Sequence, residues 1–333
     1  MHRTPLQVVV LVPPGDPDPP GLDALAPVAD HQVVRTADEL DAALDRAASA
    51  SDRPPVLAVY DFRTDLVAGL GARAAELEWI HAASAGVDAV LTPEVVASDT
   101  VVTNAQGVFD QGIAEWVLAV LLLFTKDLHT TLALQRDRTW RHRENERLAG
   151  RRLLVVGAGS IGREIARLCG ATGMTVRGVA RTARADDPDF DAVVPTDRLH
   201  DELAEADDVV IATPLTAATH HLFDADAFAA MRPGTRVVNI GRGPVIDEVA
   251  LLEALVSGRV GAAALDVFET EPLPSDHPFW GMEQVVVSPH MSGDTVGWVT
   301  ALGLQFADNL ARFTEGTPLD HVVDKHSLAG ERP

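Results

Sequence analysis

The second half of this chain has a rhythm that few architectures accept. From Arg152 onward, short apolar runs recur at Leu153–Val156, Thr175–Val179, Asp208–Ala212, Arg236–Ile240, Ala262–Val267 and Gln284–Val287. A strand with one wet face alternates polar and apolar residues, whereas a continuous Val/Ile/Leu run suits a strand covered on both faces. Six such runs separated by helical stretches predict a parallel sheet with helices outside it, an α/β architecture. The first hundred residues repeat the rhythm, with runs at Val8–Val12, Val33–Val34, Val56–Tyr60, Trp79–His81 and Val101–Val102. Between them, Ala37–Ala48 sets Leu40 and Leu44 on one helical face and Asp38, Asp41 and Asp45 on the other. A length of 333 residues suits two domains.

Two stretches fall outside this alternation. Gln111 to about Trp140 reads as one long helical region, apolar on nearly every face in its middle. Such a helix has to be covered, and a second copy of the chain is the expected cover. Within it, Trp116–Phe124 lies between Glu115 and Lys126 and is about half of the roughly 20 residues a membrane span needs, so it is expected as a buried helix. Thr295–Phe313 has helical periodicity and is expected to pack back on the first domain, while Asp324–Pro333 is expected to fray.

Charge narrows the partners. With 27 basic and 49 acidic residues the net charge is −22, which repels nucleic acid and anionic membrane over most of the surface. A small-molecule-handling protein is expected, and since Lys126 and Lys325 are the only lysines, its anion sites have to use arginine. The lone Cys169, among Ala166, Leu168 and Ala171, suits a core position in a reducing cytoplasm, and the opening residues lack the pattern of a signal peptide. The acidic stretches Asp186–Asp191 and Asp201–Asp208 read as solubilising faces. His220, His221 and His277 read as solvated-loop histidines, because nothing gives them metal-ligand spacing.

One turn carries chemistry. Leu153–Val156 runs into Gly157-Ala158-Gly159-Ser160-Ile161-Gly162, with the helical Arg163–Leu168 behind it. Between a buried strand and a helix, Gly157 permits the tight turn, Gly159 lets backbone approach a pyrophosphate, and Gly162 lets helix and strand pack closely. The helix N-terminus adds N–H groups and a dipole. About 20 residues on, an acid would hold the adenosine ribose of NAD, but here Ala180 is followed by Arg181, Thr182 and Arg184. Two guanidinium groups and a hydroxyl suit a 2′-phosphate, so NADP(H) is the expected cofactor and NAD(H) the alternative, with Asp186 and Asp187 positioned to offset part of the charge.

Further motifs follow in order: Thr213-Pro214-Leu215-Thr216 with Thr219; Asn239-Ile240-Gly241-Arg242-Gly243; Asp266-Val267-Phe268-Glu269-Thr270-Glu271-Pro272-Leu273; and Ser288-Pro289-His290. Upstream stand Ser84-Ala85-Gly86-Val87-Asp88, Asn104-Ala105-Gln106-Gly107 and Ala114-Glu115. Over nearly its whole length the chain thereby resembles the D-isomer-specific 2-hydroxyacid dehydrogenases, most of all the glyoxylate/hydroxypyruvate reductases. The resemblance implies two Rossmann- or flavodoxin-like domains. Residues 103–290 would form the nucleotide domain, including the long helical region for dimerisation, inserted into a substrate domain of residues 1–102 and 291–333. Hinges would lie near Val102–Asn104 and Ser288–Met291.

The resemblance also implies roles. His290 would be the acid/base, Glu271 its hydrogen-bonded partner holding one tautomer and favouring the protonated ring, and Arg242 the cation for the substrate carboxylate and carbonyl. Backbone N–H groups of Ala85, Gly86 and Val87 would form a second carboxylate anchor, and a ligand held from both domains would favour their closure. Asp266 would bind the nicotinamide carboxamide, and Thr213, Pro214, Ile240 and Gly293 would line the ribose and nicotinamide, beside Ser160, Ile161, Thr219 and Gly241. Gly241 stands where the family usually has alanine or serine, and Trp116 where it often has histidine. The loop Asp61-Phe62-Arg63-Thr64 is poorer in cations than the loops of phosphoglycerate-type members, which disfavours a phosphorylated substrate. Competing expectations are a dinucleotide-sensing corepressor-like binding protein and a phosphite- or formate-type dehydrogenase.

Overall fold

The structure, a computed structural model, describes residues 6–25 and 28–326. The chain divides into two compact units, Met1–Val108 with Val296–Arg332, and Phe109–Thr295. In the first, β1 (Leu6–Leu11), β2 (Ala29–Val34), α1 (Ala37–Ala50), β3 (Val56–Val59), α2 (Leu66–Gly69), β4 (Trp79–Ala82), α3 (Pro93–Ala97) and β5 (Val101–Asn104) follow one another. The strands form a parallel sheet of order β2-β1-β3-β4-β5. Its unbroken apolar runs arise because both faces are buried: Val9, Leu11, Leu57 and Ile80 pack on one side with Leu40 and Leu44 of α1, and Val8, Val10, Val56 and Trp79 on the other. Thr36 starts α1 by accepting the Glu39 N–H at its side chain.

In the second unit, α4 (Asp110–Thr125) and α5 (Leu128–Arg136) lead into β6 (Arg152–Val156), α6 (Ser160–Gly170), β7 (Thr175–Ala180), β8 (Ala192–Pro195), α7 (Leu199–Leu203), β9 (Asp208–Ile211), α8 (Ala225–Ala230), β10 (Thr235–Asn239), α9 (Glu248–Val256), β11 (Val260–Leu265) and β12 (Val285–Val287). The parallel order is β12-β11-β10-β9-β6-β7-β8. Strand order reverses beside β6, so the crevice at the carboxyl ends of β6 and β9 is where such a sheet binds its ligand. The short β8 escaped the sequence reading, since its apolar Val193 and Val194 are too few to make a run.

The long helical region is two helices bent by 65°. Lys126 closes α4 and Asp127 adopts a left-handed conformation, φ 50°, with the Arg143 guanidinium 2.5 Å from its carboxylate. Ile113, Ala114, Val117, Val120, Leu121 and Phe124 of α4 are buried, whereas α5 contributes no buried residue and leaves Leu128, Leu132 and the nearby Trp140 exposed. Among the described residues no single helix is long and apolar enough to cross a membrane.

The closing helix α10 (Trp298–Glu315) belongs to the first unit and sets Phe306 and Leu310 against Trp79, with Phe306 5.4 Å from the indole. The tail expected to fray begins anchored: Lys325 donates to the carbonyls of Val95, Ser98 and Thr100 at 2.7–2.9 Å. Residues 327–333 lie outside the described residues.

The acidic stretches are not simple solubilising faces. The Asp208 carboxylate is buried, 2.7 Å from Arg151 and 3.7 Å from Arg236, and Glu202 pairs with Arg177 at 2.6 Å. Burial of an ion needs such partners, which a composition-based reading cannot locate.

Candidate active site

The three glycines after β6 do different things. Gly157 has φ +110° and no room for a side chain, since a Cβ would come within 2.5 Å of the Ala212 carbonyl oxygen. A Cβ on Gly162 would lie 2.0 Å from the Gly157 oxygen, so the helix could not sit this close to the strand. Around Gly159, the residue before α6, a Cβ would meet nothing within 4 Å. Open space beside the N-terminus of an eleven-residue helix, on a turn braced by backbone contacts, suits the approach of a pyrophosphate. Ser160 turns its hydroxyl to Asp110 at 3.4 Å, and Ile161 follows it in the first turn of α6.

β7 ends at Ala180, and Arg181 and Thr182 beyond it are exposed. Arg184 reaches back to the turn, donating from Nη2 to the Ala158 carbonyl at 3.0 Å, while its Nε lies 3.0 Å from Asp187. The expected partial offset of the arginine charge thus falls on Arg184 through Asp187. On the loop after β9, which opens with Thr213 and Pro214, Thr219 closes a turn by donating to the Pro214 carbonyl and accepting the Thr216 N–H, both at 2.7 Å.

The ends of β10, β11 and β12 gather the remaining residues. At the end of β10, Asn239 accepts the Gly241 N–H and donates to the Arg242 carbonyl, each at 3.1 Å, holding the turn that presents Arg242. Sequence reading passed over Asn239; a buried amide between a strand and an arginine was the available signal. Ile240 and Gly241 are buried here, and a Cβ on Gly241 would come within 2.6 Å of the Thr213 oxygen, so the glycine brings these two loops closer than alanine or serine could. A Cβ on Gly243 would fall 1.9 Å from the Phe268 carbonyl, so the Arg242 turn rests directly on the backbone leading to Glu271.

Glu271 accepts the Phe268 N–H at 3.1 Å with Oε1 and faces His290 Nδ1 at 2.9 Å with Oε2. An ionised carboxylate can only accept, so Nδ1 carries the hydrogen in this pair and Nε2 is the ring nitrogen that Glu271 does not occupy. His290 has φ 58°, a left-handed conformation that strains a residue with a Cβ. Its neighbours hold it there: the Asp266 carboxylate, 2% exposed, accepts the Ser288 hydroxyl at 2.5 Å and the Met291 and Ser292 N–H groups at 2.9 Å. Asp266 therefore organises the His290 loop and keeps one lone-pair direction for another donor. Gly293 packs where a Cβ would meet the Phe109 ring at 2.9 Å.

Behind this corner, Glu248 and Glu269 each accept the other's N–H, at 2.8 and 3.3 Å. His221, its side chain 38% exposed, lies 3.1 Å from Glu269, and the less exposed His277 lies 3.4 Å from Glu248, so each loop histidine has a carboxylate beside it; partial burial pushes the Glu248 carboxyl above its usual range. Among the described residues no group of three or more His, Cys, Asp or Glu could hold a metal ion.

In the first unit, the loop after β4 holds Ala85, Gly86 and Val87. The carbonyls of residues 84–87 are occupied: Ser84 by the Ala105 N–H, Ala85 by the Asn104 amide, Gly86 by the Ser84 hydroxyl, and Val87 by the N–H groups of Val90 and Leu91. Ala85, Gly86 and Val87 donate to no acceptor among the described residues, leaving three successive half-buried N–H groups, a concavity suited to an anion.

Comparison with known proteins bears on this arrangement. Residues 118–292 match the model of the D-isomer specific 2-hydroxyacid dehydrogenase NAD binding domain. The (S)-sulfolactate dehydrogenase of Chromohalobacter salexigens is 32% identical over 246 residues, 72% of this chain and 80% of that protein. A family protein from Aeromonas salmonicida is 34% identical with a TM-score of 0.78, over 96% of this chain and 99% of that one. The NADPH-dependent glyoxylate/hydroxypyruvate reductase of Sinorhizobium meliloti, solved with NADP and sulfate, is 29% identical with a TM-score of 0.78, over 96% and 99% of the two chains. Against D-3-phosphoglycerate dehydrogenases the match spans about half of their length, 50% for that of Methanocaldococcus jannaschii, which is 30% identical over 262 residues.

Proposed function

The chain belongs to the D-isomer specific 2-hydroxyacid dehydrogenases, and on that footing we propose that it is an NADP(H)-preferring reductase of small 2-keto acids such as glyoxylate or hydroxypyruvate, reversible toward the D-2-hydroxy acid. One observation carries the reading: Glu271, 2.9 Å from His290, follows directly on the Phe268 backbone against which Gly243 packs the Arg242 turn. An acid/base, its orienting carboxylate and a carboxylate-binding cation are the groups that ketone reduction needs from a protein.

When bound, the nicotinamide supplies the hydride in reduction and takes it back in oxidation. Arg242 holds the substrate carboxylate and polarises the adjacent carbonyl. His290, protonated at both nitrogens, delivers the Nε2 proton to the carbonyl oxygen, and Glu271 stabilises the ring while it is charged. One keto acid, one hydride and one proton give one hydroxy acid. Within the first unit the Ala85–Val87 N–H groups are proposed to bind a carboxylate, and within the second the remaining acceptor capacity of Asp266 suits the carboxamide N–H of the nicotinamide. Arg181, Thr182 and Arg184 support the 2′-phosphate preference. Within residues 61–64 the one cation, Arg63, sits over the Phe62 ring at 4.7 Å, and this sparse charge favours unphosphorylated substrates. The exposed Leu128, Leu132 and Trp140 suit a homodimer interface.

The test is a panel of small 2-keto acids with NADPH and with NADH. Loss of nicotinamide absorbance, faster with NADPH, is expected; no turnover of any member would overturn the reading, and a markedly better rate with NADH would overturn its cofactor half.

A further inference from the structure

The acidic loop after β7 carries a second layer of the dinucleotide site. Asp187 has a side chain only 1% exposed although it lies in a polar surface loop. Its carboxylate accepts both terminal nitrogens of Arg163 at 2.9 Å and the Asp189 N–H at 3.1 Å, and lies 3.0 Å from Arg184 Nε. Arg163 also reaches Asp189 at 2.9 Å. Hydrogen bonds and one ion pair together close a ring. Arg163 stands in the first turn of α6, directly behind Gly162; Asp187 receives it; Arg184 leans on Asp187; and Arg184 returns to the Ala158 carbonyl in the glycine turn.

The ring constrains one guanidinium. A free arginine keeps its full rotamer freedom, and a ligand that recruits it has to freeze it. Here Nη2 is bonded to the Ala158 carbonyl, Nε is buried and held by charge 3.0 Å from Asp187 without a hydrogen bond, and Nη1 has no partner among the described residues. The group is held beside Ala158, between the ends of β6 and β7, where the adenosine ribose of a dinucleotide lies on such a turn. Because Arg163 binds the same carboxylate through two nitrogens, Asp187 orients Arg184 while sharing its charge between two cations.

We infer that Asp187 and Arg163 are positioning residues for cofactor choice: they hold the Arg184 guanidinium ready for the 2′-phosphate of NADP(H) and so set the preference over NAD(H) without touching either cofactor. This rests on the dinucleotide reading above, and its test does not depend on the substrate. NADPH and NADH are titrated by fluorescence into the wild-type chain, Asp187→Ala and Arg163→Gln. Either substitution is expected to weaken NADPH binding about tenfold and to leave NADH binding within about twofold. Equal weakening of both cofactors would mean that the ring only supports the fold, and no change in either would mean that it does nothing for binding; both results overturn the inference. A wild-type chain that binds the two cofactors equally would overturn the NADP(H) reading itself and the inference with it. If Asp187→Ala does not fold, Asp187→Asn, which keeps an acceptor oxygen but loses the charge, is expected to weaken NADPH alone by a smaller factor, and an unchanged NADPH to NADH ratio would overturn the inference.

Discussion

The glycine turn after β6 and the corner of Arg242, Glu271 and His290 lie in one unit and are built in opposite ways. The turn is local: six consecutive residues contain its steric rules, with Gly162 closing on Gly157 at a distance only a missing side chain allows. The corner is assembled from three strand ends, and its precision comes from backbone lying on backbone, Gly243 against Phe268, and from the Asp266 carboxylate gathering residues 288–292. A local device declares itself in a motif. An assembled one is visible in sequence only as types of residue at strand ends.

That contrast can be broken experimentally. The largest effect is expected for Gly243→Ala, whose Cβ would overlap the Phe268 carbonyl; a loss of roughly 3 kcal/mol or more in denaturant unfolding is expected, and wild-type stability would mean that the corner does not depend on this contact. His290→Ala should keep its fold and cofactor binding while kcat falls by about 10³, so unchanged turnover would remove His290 from proton transfer. Glu271→Gln, which keeps an acceptor for Nδ1 but not the charge, should cost about tenfold in kcat with little change in KM. A smaller effect separates the glycines: Gly159→Ala should leave the unfolding midpoint unchanged and weaken the dinucleotide by a few-fold, whereas equal losses from Gly159→Ala and Gly162→Ala would erase their division of labour. Least visible of all, Cys169 should resist alkylation at pH 8 in the folded chain, because burial, reinforced by Asp208, pushes its thiol up to about 12 and leaves almost no thiolate.

The parallel sheets, the dinucleotide turn and the residues around His290 were legible because each rests on short-range pattern or on motif order. What was not legible depends on where chains meet. Periodicity runs straight through Lys126 and Asp127, so the break between α4 and α5 is invisible until Asp127 turns left-handed. Asp208 reads as surface charge because its partner Arg151 stands 57 residues away, and the tie from Asp187 to Arg163, 24 residues back, is hidden in the same way although its neighbour Arg184 is not. Asn239 was passed over for the same reason that it matters: its bonds go to main-chain groups of the neighbouring turn, which no side-chain pattern encodes.

The α10 contact with Trp79 also dictates an order of events during synthesis. The second unit is one continuous stretch, complete once Thr295 has left the ribosome. The first unit, begun earlier, leaves one face of its sheet without Phe306 and Leu310 until the last tenth of the chain appears. The unit begun first is thus finished last, and a chain cut shortly after Thr295 would hold every residue of the second unit but a first-unit sheet whose Trp79 lacks Phe306.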